Sequence, residues 1–191
     1  VARIEELAAK IEEASPIRAK AAAQTDLLLV AALNQIVASL PAIKGTLTEI
    51  LASPPRNGWS VRCDGTPGGT PVITLSAVTG FTYDPKAIKR TSESINPSAH
   101  YWLEPGDLLI TRSNTPDLVG HAAIYDGRPS PCIYPDLIMR CKVRPDKADV
   151  RFVHFWLQSS HVRDHIRQRA KGTSPTMKKI AQADVEEIPF P

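Results

Sequence analysis

The sequence predicts an α+β fold, in which a long coiled-coil-type helix precedes a mixed α/β domain. Three observations carry this. Residues 1–40 hold a heptad-like seam, the pattern changes to short strands and turns from Trp59, and an amphipathic helix follows Asp149. Domain boundaries are expected at 1–40 and 41–191.

In the first segment Ile4, Leu7, Ile11 and Ala14 follow a 3-4-3 spacing. Arg18, Ala21, Thr25, Leu28, Ala32 and Gln35 continue the register, with many alanines that allow a second helix to approach closely. Pro16 is expected to kink this helix or to start a second segment. Some 35 helical residues would reach roughly 50 Å, too long for one small domain to cover.

Pro41, Pro54, Pro55 and Asn57-Gly58 punctuate a junction, with a helical turn or short helix at Leu47–Leu51. Four strands are expected: Pro71–Leu75, Asp107–Arg112 after the Glu104-Pro-Gly106 turn, Gly120–Tyr125, and Asp136–Val143. Asp107 is expected to cap its turn. Between the strands run long loops rich in Pro, Ser, Asn and Thr, and such loops often carry binding function. Phe152, Phe155, Trp156, Val162 and Ile166 then share one helical face that ends near Gly172. A short helix or turn within Ile180–Ile188 and a final strand into Pro189–Pro191 complete the chain.

A chain of 191 residues with 42% hydrophobic content can bury one sizeable core and support an appendage. The net charge is only +3, but the surplus lies mostly after Arg140. That asymmetry permits nucleic acid as a partner. Cys63, Cys132 and Cys141 are odd in number and lack CxxC spacing, which fits a reducing cytoplasm and argues against a disulfide framework or zinc site. The longest apolar stretch, Leu27–Leu33, is too short to span a bilayer, so no membrane partner is expected. Val1 sits inside a helical pattern and the chain stops at Ile188-Pro-Phe-Pro191, so it reads as a piece of a longer protein.

No catalytic set, metal site or cofactor site is expected. His161 and His165 are four apart, but Val162-Arg163-Asp164 between them lacks the glutamate of HExxH. Gly65–Gly69 is Gly-rich without the Lys-Ser/Thr of a phosphate loop, and no GxSxG or GxGxxG occurs.

Binding is the remaining signal. The stretch Arg163–Ile180 holds Arg163, Arg167, Arg169, Lys171, Lys178 and Lys179 against the single acid Asp164. Thr173, Ser174, Lys178 and Lys179 are candidate phosphate contacts, pairing hydroxyls and backbone N–H groups with cations. Arg112, Ser113 and Asn114 directly follow a strand and are candidate base readers: Arg suits guanine, Asn suits adenine, and Ser suits either. Lys86, Lys89 and Arg90 form a third cluster, for base edges or phosphate.

Taken together, the segments Pro55-Arg-Asn-Gly-Trp59, Gly69–Leu75, Gly106–Thr115, Val119–Ala123, Pro131–Arg140, Ala170–Ile180 and Val185–Pro191 resemble the specificity subunit of type I restriction–modification systems. Arg3–Glu13 looks like the helix that follows a target recognition domain in that family. The likeness covers nearly the whole chain, and order and spacing carry it more than any one motif. It implies a target recognition domain with a twisted, partly barrel-like sheet. In the family two such domains alternate with two long helices, which pair antiparallel as a spacer, and each domain reads half of a split DNA sequence. Modification subunits, which hold the S-adenosylmethionine site and the methyltransferase chemistry, dock on this scaffold, and restriction subunits join for cleavage. The chain departs by having one helix and one recognition domain. It therefore reads as half a subunit, pairing through residues 1–40 with a second half or with a copy of itself. Two other functions stay open: the recognition region of a fused restriction–methyltransferase enzyme, and a non-catalytic interaction scaffold.

Overall fold

The computed structural model describes residues 2–40, 43–174 and 176–191, with the side chains at 22, 23 and 26 excepted. Pro41 of the expected junction and Pro175 of the basic stretch lie outside these residues. The chain divides into two compact units, Val1–Ser39 and Leu40–Pro191.

The first unit is a single helix, α1, Ala2–Ser39. It continues through Pro16, so no second segment starts there. The cost is local: proline removes one N–H from the helical ladder and crowds the carbonyl four residues earlier. Helix formers on both sides continue the ladder. Ile4, Leu7, Ile11 and Leu28 of the heptad seam are all exposed, and so are Ile17 and Leu27.

In the second unit the elements follow as β1 Gly45–Thr46, a 3-10 turn at Leu47–Glu49, β2 Arg56–Asn57, β3 Thr70–Ile73, a 3-10 turn at Leu75–Ala77, and β4 Ile88–Thr91. Then come β5 Leu108–Thr111, β6 Ser113–Asn114, β7 Ala122–Ile124, β8 Ile138–Cys141, α2 Val150–Trp156, α3 Ser160–Arg169, β9 Lys178–Lys179, α4 Gln182–Glu186 and β10 Pro189–Phe190. The four expected strands form as β3, β5, β7 and β8. The main sheet has the order β2-β8-β5-β7, all antiparallel. Three two-stranded ladders, β1-β10, β3-β4 and β6-β9, surround it.

β5 is buried along its whole length because the sheet is covered on both faces. Successive side chains alternate between the faces. Leu109 enters a cluster with Ile73, Val78, Tyr125, Tyr134 and Ile138, while Leu108 and Ile110 point the other way. On that side α2 packs against β7, and His154 Nε2 lies 3.2 Å from the Ala122 carbonyl.

Asp107 closes its turn as expected, accepting from the Glu104 N–H at 2.8 Å. It also meets Arg140 Nη1 at 3.4 Å. Burial raises the Asp107 pKa against the pull of that hydrogen bond and that cation.

The helix expected after Asp149 is two helices. Asp149 caps α2 by accepting from Arg151 N at 2.8 Å, and Ser159 caps α3 by accepting from Val162 N at 3.4 Å. A buried serine at the junction supplies a new N-cap, so the chain turns there and does not continue one stripe. Trp156, Val162 and Ile166 are buried, whereas Phe152 and Phe155 stay partly exposed.

Candidate nucleic-acid interface

Two of the three predicted clusters are built into one ladder. β6 carries Ser113 and Asn114, and it pairs antiparallel with β9, setting Ser113 opposite Lys179 and Asn114 opposite Lys178. Ile180 N donates to the Arg112 carbonyl at 3.0 Å and extends the match. On its other side β9 is closed by Lys171, whose N–H and carbonyl exchange two 2.8 Å bonds with Lys179. The segment 171–179 is therefore a loop tied at its neck, with its strand fastened to the strand after Arg112. Gly172 is needed at that neck, because a Cβ there would lie 2.6 Å from the Met177 carbonyl.

The roles within the ladder differ from those expected. Ser113 and Asn114 are buried. Ser113 Oγ bonds Met177 Sδ at 3.1 Å, and Asn114 Nδ2 donates to Thr79 Oγ1 at 3.3 Å. Both side chains fasten the ladder from inside. Neighbouring residues of a strand face opposite sides, and here both sides of β6 are covered, Ser113 by Met177 and Asn114 by Thr79. Arg112 is half-buried, and its guanidinium makes no hydrogen bond or ion pair among the described residues. Lys171 and Lys179 are exposed, and their ammonium groups have no partner there either. Lys178 Nζ donates to the Gly172 carbonyl at 2.8 Å. Thr173 is exposed, and Ser174 Oγ lies 3.0 Å from Thr176 Oγ1.

The arginines of the basic stretch are occupied within the unit and not left free beside the loop. Arg167 lies 3.4 Å from Asp164 and 3.9 Å from Asp117, and Arg169 lies 3.5 Å from Glu187. Arg163 is buried at 6% exposure. The free charge thus contracts to the lysines and Arg112.

Arg163 is a residue that the sequence reading misplaced. Its Nη2 donates to the carbonyls of Asp117 and Val119 at 3.0 and 2.8 Å. Its guanidinium carbon stands 5.5 Å from the Phe81 ring centroid. Burial lowers its pKa to about 10. The available signal was position: Arg163 follows Val162 and precedes Ile166 by three, on the buried stripe of α3.

Phe81 takes a positive φ of 61°, and its ring lies tilted against that of His121, with centroids 4.3 Å apart. His121 Nδ1 accepts from Gly80 N at 3.0 Å, which requires the unprotonated nitrogen. Burial, with the Arg163 charge second, lowers the His121 pKa to about 4. The unfolded chain takes up this proton near pH 6.5 while the folded chain resists to about 4, so the stabilisation is complete above pH 6.5 and is lost as pH falls through that window. His154 and His165 are lowered by burial too and act in the same sense. Chemical denaturation between pH 7 and pH 4 should show a loss on the order of 1–2 kcal/mol from His121, allowing for its partial solvent contact. The variant His121→Gln should flatten that slope, and an unchanged slope would refute the assignment.

In the third cluster Lys89 and Arg90 lie on β4 of the β3–β4 ladder, and Lys86 precedes that strand. Arg90 Nη1 is tied to the Gly69 carbonyl at 2.8 Å, whereas Lys86 and Lys89 are exposed. Among the described residues, no three His, Cys, Asp or Glu side chains gather as a metal site, and no helix is long and apolar enough to cross a membrane.

No protein-family model matches the chain. It is 23% identical over 137 residues to the specificity subunit of the Escherichia coli type I restriction enzyme EcoEI, covering 70% of this chain and 23% of that protein. Among solved structures it superposes on a chain from work on complex assembly and conformational transition of the type I R-M system, with TM-score 0.58, 22% identity, 98% of this chain and 45% of that one. The HsdS subunit from Thermoanaerobacter tengcongensis gives TM-score 0.54, 19% identity, 98% and 44%. The type I S subunit from M. genitalium gives TM-score 0.50, 16% identity, 80% and 36%. The chain spans less than half the length of each of these relatives. In fold and in sequence alike, it is similar to specificity subunits of type I restriction–modification systems.

Proposed function

We propose that this chain is the DNA-reading half of a type I specificity subunit. Its globular unit binds double-stranded DNA and reads one half of a split target. Its helix docks modification subunits, which carry the methyltransferase chemistry in the cytoplasm, and restriction subunits join through them. The chain itself contributes recognition and no catalytic step. The single observation that carries this is the β6–β9 ladder, which fastens the strand after Arg112, whose guanidinium is unpaired among the described residues, to the loop that carries exposed Lys171 and Lys179. Lysines around a tied loop suit phosphates, and a free arginine at a strand end suits a base edge.

The exposed seam Ile4, Leu7, Ile11 and Leu28 supports pairing of α1 with a second helix, from another half or another copy. Sedimentation should show a dimer, and a monomer at high concentration would count against self-pairing.

The test is selection of duplexes from a random-sequence pool at physiological salt, with the chain bound to its modification subunit. Enrichment of a short motif is the expected result, and retention of DNA without a motif would refute recognition. In the same assay Arg112→Ala should cost roughly 1–3 kcal/mol on the cognate site and relax one position. An unchanged preferred sequence would remove Arg112 from the readers. Ser113 and Asn114 act in this proposal by positioning the ladder.

A further inference from the structure

We propose that Asp136 and Lys89 read a single G·C base pair from two walls of the cleft that separates them. The inference rests on the DNA-recognition reading above and adds two things to it: an acidic reader, and the identity of one base pair.

The cleft has a volume of about 470 Å³. One wall is the β3–β4 ladder, where Lys89 stands opposite Val72 in the register. A second wall is the Pro135–Leu137 turn, closed by Ile138 N donating to the Pro135 carbonyl at 3.1 Å. Trp59 and Val61 form the third. The turn is joined to the interface already described, because the Leu137 carbonyl accepts from Arg112 N at 2.8 Å. Asp136 is thus anchored next to the ladder of β6 and β9, at the tip of a short hydrogen-bonded turn.

Asp136 has no hydrogen bond and no ion pair among the described residues, and neither does the Lys89 ammonium group. Two opposite charges line one cleft and do not pair with each other. A bare carboxylate is repelled by phosphates, so its place beside a DNA-binding ladder is favourable only where it meets a donor. The major-groove edge of a G·C pair offers what these two groups require. Guanine presents two acceptors, O6 and N7, at one end, for which a lysine is a donor. Cytosine presents its N4 amino donor at the other end, for which a carboxylate is an acceptor. An A·T pair in the same orientation puts a methyl group where the carboxylate needs a donor. The reversed pair sets the N7 acceptor of adenine beside the carboxylate and gives the lysine a single acceptor next to that methyl group, so G·C is the better match. Exposed Leu137 stands beside Asp136 and can exclude water from the contact.

The experiment is duplex selection with the chain in its modification complex, comparing the parent with Asp136→Asn and Asp136→Ala. Neither substitution removes a contact within the fold, and thermal unfolding of each variant checks this. The parent should enrich a motif containing one G·C position that depends on residue 136. Asp136→Ala should reduce discrimination there about tenfold, leaving the other positions unchanged. Asp136→Asn should move the preference from cytosine toward adenine, since an amide matches adenine N6 and N7. If the parent enriches a motif and both variants keep the same preference at every position, the inference fails and the DNA-recognition reading stands. If the parent enriches no motif, that reading fails and this inference falls with it.

Discussion

Arg163→Ala should destabilise the globular unit by about 3 kcal/mol. Its Nη2 serves the Asp117 and Val119 carbonyls; the Val119 bond is buried, and an acceptor left there without a donor costs about 1–3 kcal/mol, while the part-buried Asp117 carbonyl adds less. The contact with Phe81 adds about 1 kcal/mol. A partial offset comes from Nη1, which is buried without a partner, so removing the guanidinium also removes a desolvated group. Urea unfolding measures the net. Arg163→Met, which keeps the apolar stem and loses the donors, separates packing from hydrogen bonding: a loss close to that of alanine assigns the effect to the carbonyls. A change within about 0.5 kcal/mol for both variants would show that Arg163 does not brace the Asp117–Val119 segment.

Replacing Lys171, Lys178 and Lys179 together with alanine should weaken binding to any duplex roughly a hundredfold near 0.1 M salt. The dependence of log affinity on log salt should become shallower by nearly three, about 0.9 for each phosphate that a lysine no longer neutralises. The base preferences should stay as they were, because phosphate contacts position the protein and carry no sequence. Lys178 is tethered to the Gly172 carbonyl, so its share should be the smallest of the three. An unchanged salt slope would show that the 171–179 loop lies away from the backbone of the DNA. A changed motif with an unchanged slope would make these lysines base readers. Fluorescence anisotropy at several salt concentrations, on the chain with its modification subunit, distinguishes these outcomes.

Much of the frame was legible in the residues. Strands β3, β5, β7 and β8 were each bounded by turn residues, and the acid at Asp107 closed its turn as its place after Pro105-Gly106 implied. β4 went unrecognised because its Lys89-Arg90 core reads as a solvated charge pair. Its strand character comes from the partner β3, since a two-stranded ladder can hold charged side chains on an open edge. The short strands β1, β2, β6 and β9 also carried no local signal. A two-residue strand exists only through the chain it pairs with, and that chain is far away in sequence. Residues 150–169 showed one apolar stripe, and a single buried Ser159 cut it in two.

The class of fold, the heptad seam of the long helix and the location of the candidate binding segments can be read along the chain, because periodicity, turn chemistry and charge are local properties. Which polar residues remain available follows from tertiary pairing alone. Arg163, Arg167, Arg169, Ser113 and Asn114 look like solvent-facing binders in one dimension, yet each is occupied by a neighbour within the fold. Lys171, Lys179, Arg112 and Asp136 have no such partner among the described residues. The physical reason is that a side chain's hydrogen-bonding and charge capacity is satisfied by whatever lies within a few ångströms. Long-range pairing, here β6 on β9 and α3 against the Asp117–Val119 segment, sets those neighbours.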